Sequence, residues 1–203
     1  MQCDKCNTEM KTVPVLSETH FETFTACPKC QRSVISRIQQ GNLKVAEKHL
    51  KTQGVPERYW SAKLTKENTA FAGADSVLNH ECGLYLIGDS GIGKSYLSVA
   101  WMKYMLCNGY TCKYINWSDF MVQLRMDIKE YATLKEAALR CDVIVIDDFD
   151  ATNQYMYDVV YNFINSVYNS TKILIMNSIE LPTQSKLAMR IGEMTKQVMV
   201  VRK

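Results

Sequence analysis

The sequence lacks a long apolar run. No stretch approaches the ~18–20 residues that a membrane-spanning helix needs. Met1 is followed at once by Gln2, Cys3, Asp4 and Lys5 rather than by the apolar core of a signal peptide. The expectation is a cytoplasmic protein with no membrane partner. A charge excess of either sign is also lacking: 24 Lys and Arg stand against 21 Asp and Glu, a net +3. That balance permits contact with nucleic acid without arguing for it. Internal repeats and low-complexity segments are absent, which excludes repeat arrays and biased tails.

What is present is an ordinary globular composition, 47% hydrophobic and 22% charged over 203 residues. That is enough for one domain with a substantial core plus something small. Cysteine is plentiful, with eight residues. In a reducing compartment these are expected as thiols or metal ligands rather than disulfides. Cys82, Cys107, Cys112 and Cys141 stand singly among apolar neighbours and read as small buried hydrophobes. Cys3, Cys6, Cys27 and Cys30 are different: two C-x2-C pairs separated by 20 residues. Each pair can offer two thiolates to one tetrahedral Zn²⁺, closing a four-cysteine structural site with no open position for catalysis. About 35 residues are too few to fold on apolar burial alone, and zinc contributes roughly 10–16 kcal/mol to such modules. Four free thiols or redox pairs are the alternative. Lys5, Lys11, Lys29 and Arg32 are offset by Asp4, Glu9, Glu18 and Glu22, so the module reads as a protein-binding rather than a nucleic-acid-binding one.

The expected organisation is a four-cysteine zinc-binding module at 1–35, a basic helical linker at 36–57 and a larger domain at 58–203. The apolar spacing of the linker predicts two helical stretches broken near Gly41-Asn42. Lys44, Lys48, Lys51, Arg58, Lys63 and Lys66 are candidate DNA contacts, although for most of them a solvated helix face is the simpler reading. Beyond residue 84 strand and helix alternate. Strands are predicted at Leu84–Ile87, Cys112–Asn116, Val143–Ile146, Lys172–Met176 and Val198–Val201. Helices are predicted at Gly93–Cys107, from near Asp119 with Ser118 as its cap, at Leu134–Leu139, Tyr155–Tyr168 and Gln184–Met194. Continuous apolar strands separated by helices imply a parallel α/β sheet covered on both faces.

Residues 88–95 read GDSGIGKS and match G-x4-G-K-[ST] at every fixed position. Gly88, Gly91 and Gly93 allow a tight turn that brings the amides of Asp89, Ser90 and Ile92 and their neighbours against phosphate oxygens. Lys94 reaches the β- and γ-phosphates, Ser95 offers its hydroxyl to Mg²⁺, and the following helix turns its positive end to the same site. The implied ligand is ATP with Mg²⁺. VIVIDDF at 143–149 places Asp147-Asp148 at the carboxyl end of a strand, where two carboxylates repel without a cation. Asp147 is the Mg²⁺-side carboxylate, directly or through water. Asp148 is the candidate for orienting and deprotonating an attacking water. Asn177 ends the strand KILIM and can bridge that water and the γ-phosphate. Arg190, in KLAMRIGEM, can project to a neighbouring subunit's γ-phosphate.

Together these residues resemble the bacterial DnaC/DnaI-type helicase loaders and their phage relatives, a branch of the AAA+ ATPases, with the IstB-type transposition helper ATPases sharing the core. The resemblance covers about residues 54–203. It rests on GVPERYW at 54–60, GDSGIGKSYL, VIVIDDF, MNS at 176–178 and KLAMRI at 186–191. It implies a P-loop AAA+ parallel sheet flanked by helices, without a C-terminal lid and preceded by a small zinc-ribbon-like module. It also implies an ATPase that loads a replicative hexameric helicase onto DNA, gripping the helicase through its N-terminal region. The ATPase domain would bind single-stranded DNA and self-associate, with Arg190 completing a neighbour's site. Val167 stands where members of the family often carry an arginine. A transposition helper, or a zinc-ribbon adaptor using ATP as a conformational switch, are the competing readings.

Overall fold

The computed structural model describes residues 1–17, 21–65, 82–126, 128–150, 157–170 and 172–201. Glu18, Lys66 and Tyr155 lie outside the described residues. Strands β1 (Lys11–Leu16) and β2 (Phe21–Ala26) form an antiparallel hairpin. Helix α1 (Arg32–Thr52) follows, then a single 3-10 turn at Glu57–Tyr59. The core alternates β3 (Gly83–Ile87), α2 (Lys94–Cys107), β4 (Cys112–Asn116), α3 (Trp117–Met126), α4 (Ile128–Leu139), β5 (Val143–Asp147), α5 (Tyr157–Asn169), β6 (Ile173–Ser178), α6 (Ser185–Met194) and β7 (Thr195–Met199).

The five core strands pair in parallel in the order β4-β5-β6-β3-β7. Strand side chains alternate between faces, and both faces of β3, β5 and β6 are dry, which is why these three read as nearly unbroken apolar runs. Leu84, Leu86, Val143, Val145 and Ile175 point to one face and pack with α1 and α2. Tyr85, Ile87, Ile144, Ile146, Leu174 and Met176 point to the other and pack with α3, α5 and α6. The central strand is held close: a Cβ at Gly83 would stand 1.8 Å from the Leu174 carbonyl oxygen. This three-layer sheet with β3 between β6 and β7 is the AAA+ arrangement, with every strand's carboxyl end on one edge.

Helix α1 is one helix of 21 residues rather than two stretches broken at Gly41-Asn42. Gly41 faces open space and its missing side chain disturbs nothing. Asn42 is buried, so its amide serves as a tie rather than a breaker. Its Oδ1 accepts from the Leu16 amide (2.8 Å), while Nδ2 donates to the carbonyls of Pro14 (2.9 Å) and Cys107 (3.1 Å). One side chain thereby joins the hairpin, α1 and the last turn of α2. Further along α1, Ala46 and Leu50 bury against the core, and the buried Lys103 donates to Glu47 (2.8 Å) and to the Trp60 carbonyl (2.7 Å).

Other boundaries shift for local reasons. The cap of α3 is Asn116, whose Oδ1 accepts from the Asp119 amide at 3.0 Å, so the helix starts at Trp117 and Ser118 lies inside it. β7 starts at Thr195, three residues before the predicted strand, because its parallel register with Gly83–Ile87 fixes it there. No helix of the described residues is long and apolar enough to cross a membrane.

Candidate nucleotide site and cysteine cluster

The phosphate loop joins β3 to α2 at the carboxyl edge of the sheet. Its first residue must be glycine: Gly88 has φ +154°, and a Cβ there would stand 2.5 Å from the Val200 carbonyl just beyond β7. Gly93, at φ +103°, turns the chain into α2. No acidic residue occupies the first turn of α2, so its partial positive charge and free amides stay directed at the loop. Lys94 is buried; its Nζ donates to the carbonyls of Gly88 (2.7 Å) and Asp89 (2.8 Å), within the loop it serves. Burial lowers the Lys94 pKa, while Asp148, Asp147 and Asp89 pull the other way. Ser95 follows on the first turn, half-buried, and Asp89, Ser90 and Gly91 are open to solvent around Ile92.

The carboxylates arrive on the neighbouring strand ends. Asp147 closes β5 and is buried. Its Oδ2 accepts from the Tyr114 hydroxyl and its Oδ1 from Asn177 Nδ2, each at 2.6 Å. Asp148, the next residue, turns into the left-handed region at φ +55°. That turn reverses the side chain's direction, so one carboxylate points inward and the next faces solvent. Desolvation raises the Asp148 pKa first, Asp147 raises it further, and Lys94 and Arg58 draw it down. Tyr114 is pushed far above its usual range by burial and then by Asp147, which keeps it a neutral donor.

Asn177 is fully buried and links these parts. Nδ2 donates to Ser98 Oγ (2.9 Å) as well as to Asp147, and Oδ1 accepts from the Asp148 amide (3.0 Å). Its own carbonyl accepts from the Phe149 amide at 2.9 Å. Ser98 Oγ in turn donates to the Lys94 carbonyl at 3.1 Å. Both amide hydrogens of Asn177 are engaged inside the protein, on Asp147 and Ser98. The side chain ties β5, β6 and α2 to one another. Sequence reasoning missed Ser98 and Tyr114. Ser98 carried one usable signal, a polar residue one helical turn after Lys94 on an otherwise apolar face. Tyr114 carried none, since its pairing with Asp147 depends on strand register.

Beside Lys94 and Asp148 opens a cavity of ≈ 510 Å³, bounded also by Ser118, Phe149, Asp150 and the loop 178–184. Tyr85 props that loop open, pairing with Ser178 Oγ (2.7 Å) and donating to the Glu180 carbonyl (3.1 Å). Arg190 stands apart from its own chain's phosphate loop. Its guanidinium lies 4.2 Å from the Tyr168 ring centre and 3.3 Å from Glu193, with Tyr161 also bonded to it.

The four N-terminal cysteines converge: the Sγ atoms of Cys3, Cys6, Cys27 and Cys30 lie within 4.8 Å of one another. Cys6 is 3.5 Å from Cys27 and 3.3 Å from Cys30. Ligands ~2.3 Å from a tetrahedral Zn²⁺ stand about 3.8 Å apart, so the cluster fits that ion. Two tight turns shape it. Asn7, at φ +55°, donates its amide to the Cys3 carbonyl, and the Cys30 amide donates to Cys27 Sγ at 3.4 Å. Hydrogen bonding with Thr8, and then with Cys30, brings the Cys6 thiol down to about 6. Cys30 is pushed up to about 12, by Cys6 first.

Comparison with known proteins agrees with this geometry. Residues 37–188, about three quarters of the chain, match the family described as IstB-like ATP binding protein. The chromosomal replication initiator protein DnaA of Aliarcobacter butzleri (strain RM4018) is 28% identical over 105 residues, 50% of this chain and 24% of that protein. The chain thus spans about a quarter of the length of the curated relatives it matches. Among solved structures, DnaI superposes with a TM-score of 0.61 at 15% identity, over 72% of this chain and 94% of that one. The DnaC helicase loader superposes with a TM-score of 0.53 at 20% identity, over 72% and 100%. At such identities the likeness establishes a shared fold. With the family match resting on the segment that carries both the phosphate loop and the paired aspartates, the chain belongs to the IstB-like ATP-binding proteins and has an AAA+ fold.

Proposed function

We propose that the chain is an ATP-dependent loader of a replicative ring helicase. It would bind the helicase through its N-terminal region and single-stranded DNA through the ATPase domain, and hydrolyse ATP with Mg²⁺. The observation that carries the reading is mechanical. A separate cysteine module is bolted to the far end of the phosphate-loop helix through Asn42, so a partner held at one end can sense nucleotide at the other. The name of the DnaC helicase loader, whose whole length the chain's fold covers, supports it.

In this reading the loop amides and Lys94 hold the β- and γ-phosphate oxygens. Ser95 and Asp147 are the Mg²⁺ side, and one donor already on each oxygen of Asp147 favours contact through water. Mg²⁺ supplies charge neutralisation on the phosphates. Asp148, exposed and less acidic than a free aspartate, takes the proton of the attacking water. Asn177 is a positioning residue that aligns both aspartates with Lys94. Arg190 serves a neighbouring subunit, where such an arginine is worth roughly 10³–10⁵ in rate. Cys3, Cys6, Cys27 and Cys30 hold Zn²⁺ and give the 1–35 module its shape, with 36–57 as the connecting helix and 58–203 as the ATPase domain.

The family match favours a second reading, a transposition helper ATPase. Affinity capture from host extract, with the wild type and a Cys27→Ser variant, separates them. Capture of a hexameric helicase by the wild type and its loss in the variant supports the loader. Capture of a transposase, or of no helicase, overturns it. For the shared site, mixing inactive Arg190→Ala chains with inactive Lys94→Ala chains restores turnover if Arg190 acts across subunits.

A further inference from the structure

Helix α1 carries five basic side chains and one acid, Glu47, and that acid is committed to the buried Lys103. The inward stripe of the helix is Asn42, Ala46 and Leu50. At 100° per residue, Arg37, Lys44, Lys48 and Lys51 fall within about 60° of one another on the opposite, exposed side. The four span 14 residues, ~21 Å along the axis. The row does not stop at the end of the helix. Lys51 Nζ lies 5.9 Å from the Trp60 ring centre, and on the adjoining 3-10 turn Arg58 lies 4.7 Å from that of Tyr59. The charge of Arg58, at the end of the row, draws down the Asp148 carboxyl pKa.

We infer that the outward face of α1 is a track for the phosphodiester backbone of single-stranded DNA, running from Arg37 past Lys51 to Arg58. It rests on the DNA-handling reading given above and extends the contact from the ATPase domain, at Arg58, along this helix. Charge complementarity carries the choice of ligand. The row is of one sign, straight and spaced along a line, as the phosphates of an extended strand are. An acidic protein surface needs a two-dimensional patch and apolar anchors at its centre, whereas the basic row here is a single line and the exposed Val34 and Leu43 of the same helix lie to either side of it. The aromatic rings of Tyr59 and Trp60 at the end of the row suit the stacking of unpaired bases.

The test is fluorescence anisotropy of a labelled oligothymidylate against the full-length protein, between about 50 and 200 mM salt. The wild type is compared with the triple variant Arg37→Gln, Lys44→Gln, Lys51→Gln. Five phosphate contacts, Arg58 included, at ~0.7 each give a log–log salt slope near 3.5, about a 130-fold loss of affinity across that range. With two contacts left, Lys48 and Arg58, the triple variant shows a slope near 1.4 and about a 7-fold loss. Its nucleotide binding and unstimulated ATP turnover are expected to stay at the wild-type level, since none of the three residues belongs to that site. Wild-type affinity and slope in the variant overturn the track. So does loss of helicase capture with DNA binding intact, which would make α1 a protein-docking face. A wild type that captures helicase but binds no oligonucleotide at 50 mM salt overturns the track alone. A wild type that binds DNA through α1 but captures no helicase overturns the loader reading alone.

Discussion

Removing one hydroxyl, by Tyr114→Phe, tests whether the paired-aspartate corner is held as described. Tyr114 is buried on β4, and its hydroxyl donates to Asp147 Oδ2 at 2.6 Å. The phenylalanine ring fills the same space, so the change removes a donor and creates almost no cavity. Hydrogen bonds to charged groups contribute about 1.5–3 kcal/mol, more than neutral ones. The carboxylate left behind is buried, with Asn177 Nδ2 as its remaining donor. The expected loss of stability is therefore about 1.5–3 kcal/mol. In a domain of this size that is roughly 3–12 °C in melting temperature, at ~2–4 °C per kcal/mol. Urea titration at neutral pH measures it, with an unchanged m-value as the sign that the native state is otherwise intact. A double-mutant cycle with Asp147→Asn isolates the pair, and a coupling of at least about 1 kcal/mol is expected. A loss under about 0.5 kcal/mol with no coupling would refute the reasoning, showing that Asp147 does not depend on β4.

Three further outcomes follow from other parts of the molecule. Asn42→Ala strands the Pro14 and Cys107 carbonyls and the Leu16 amide. It is expected to lower stability by about 2–4 kcal/mol, and hydrogen exchange at Lys11–Leu16 should rise more than exchange in β5. Chelation of zinc is expected to release one ion per chain and unfold the cysteine module while ATP binding persists, read by a chromogenic zinc assay alongside nucleotide titration. Asp148→Asn is expected to lower turnover by roughly 10²–10⁴. In the wild type turnover should fall on acidification with a midpoint above the ordinary 3.8, because the Asp148 pKa is raised. The sign for stability is opposite to that of a salt-bridged aspartate. A raised folded-state pKa makes this group's contribution most favourable at low pH, and it is lost as pH rises through the folded value. Asp148→Asn should then match or exceed the wild type in stability at neutral pH, as judged by urea midpoints.

The inner strands β3, β5 and β6 were legible because a sheet covered on both faces leaves them no polar position until the carboxyl edge, which Asp147 and Asn177 mark, whereas the edge strand β7 opens on the polar Thr195, Lys196 and Gln197. The phosphate loop was legible because phosphate chemistry fixes residue types at fixed spacing. The hairpin of β1 and β2 was not, since Pro14 and the threonines at 12, 23 and 25 make a weak apolar pattern and the cysteine turns fix its ends instead. The unbroken course of α1 was hidden for a related reason. Gly41-Asn42 is a turn signal locally, and only tertiary partners for the Asn42 amide make it compatible with a helix. Ser98 and Tyr114 reach the site through the sheet's register and through α2. Nothing nearby in sequence announces Tyr114, and Ser98 is marked only by its place one turn after Lys94.

Lys94 is the residue on which ATP binding at the phosphate loop most depends. Equilibrium titration of wild type and Lys94→Ala with a fluorescent, non-hydrolysable ATP analogue in the presence of Mg²⁺ tests it most directly. Loss of a charge-assisted contact of about 1.5–3 kcal/mol should weaken binding about 10- to 150-fold. An unchanged dissociation constant in Lys94→Ala would contradict the placement of ATP at residues 88–95.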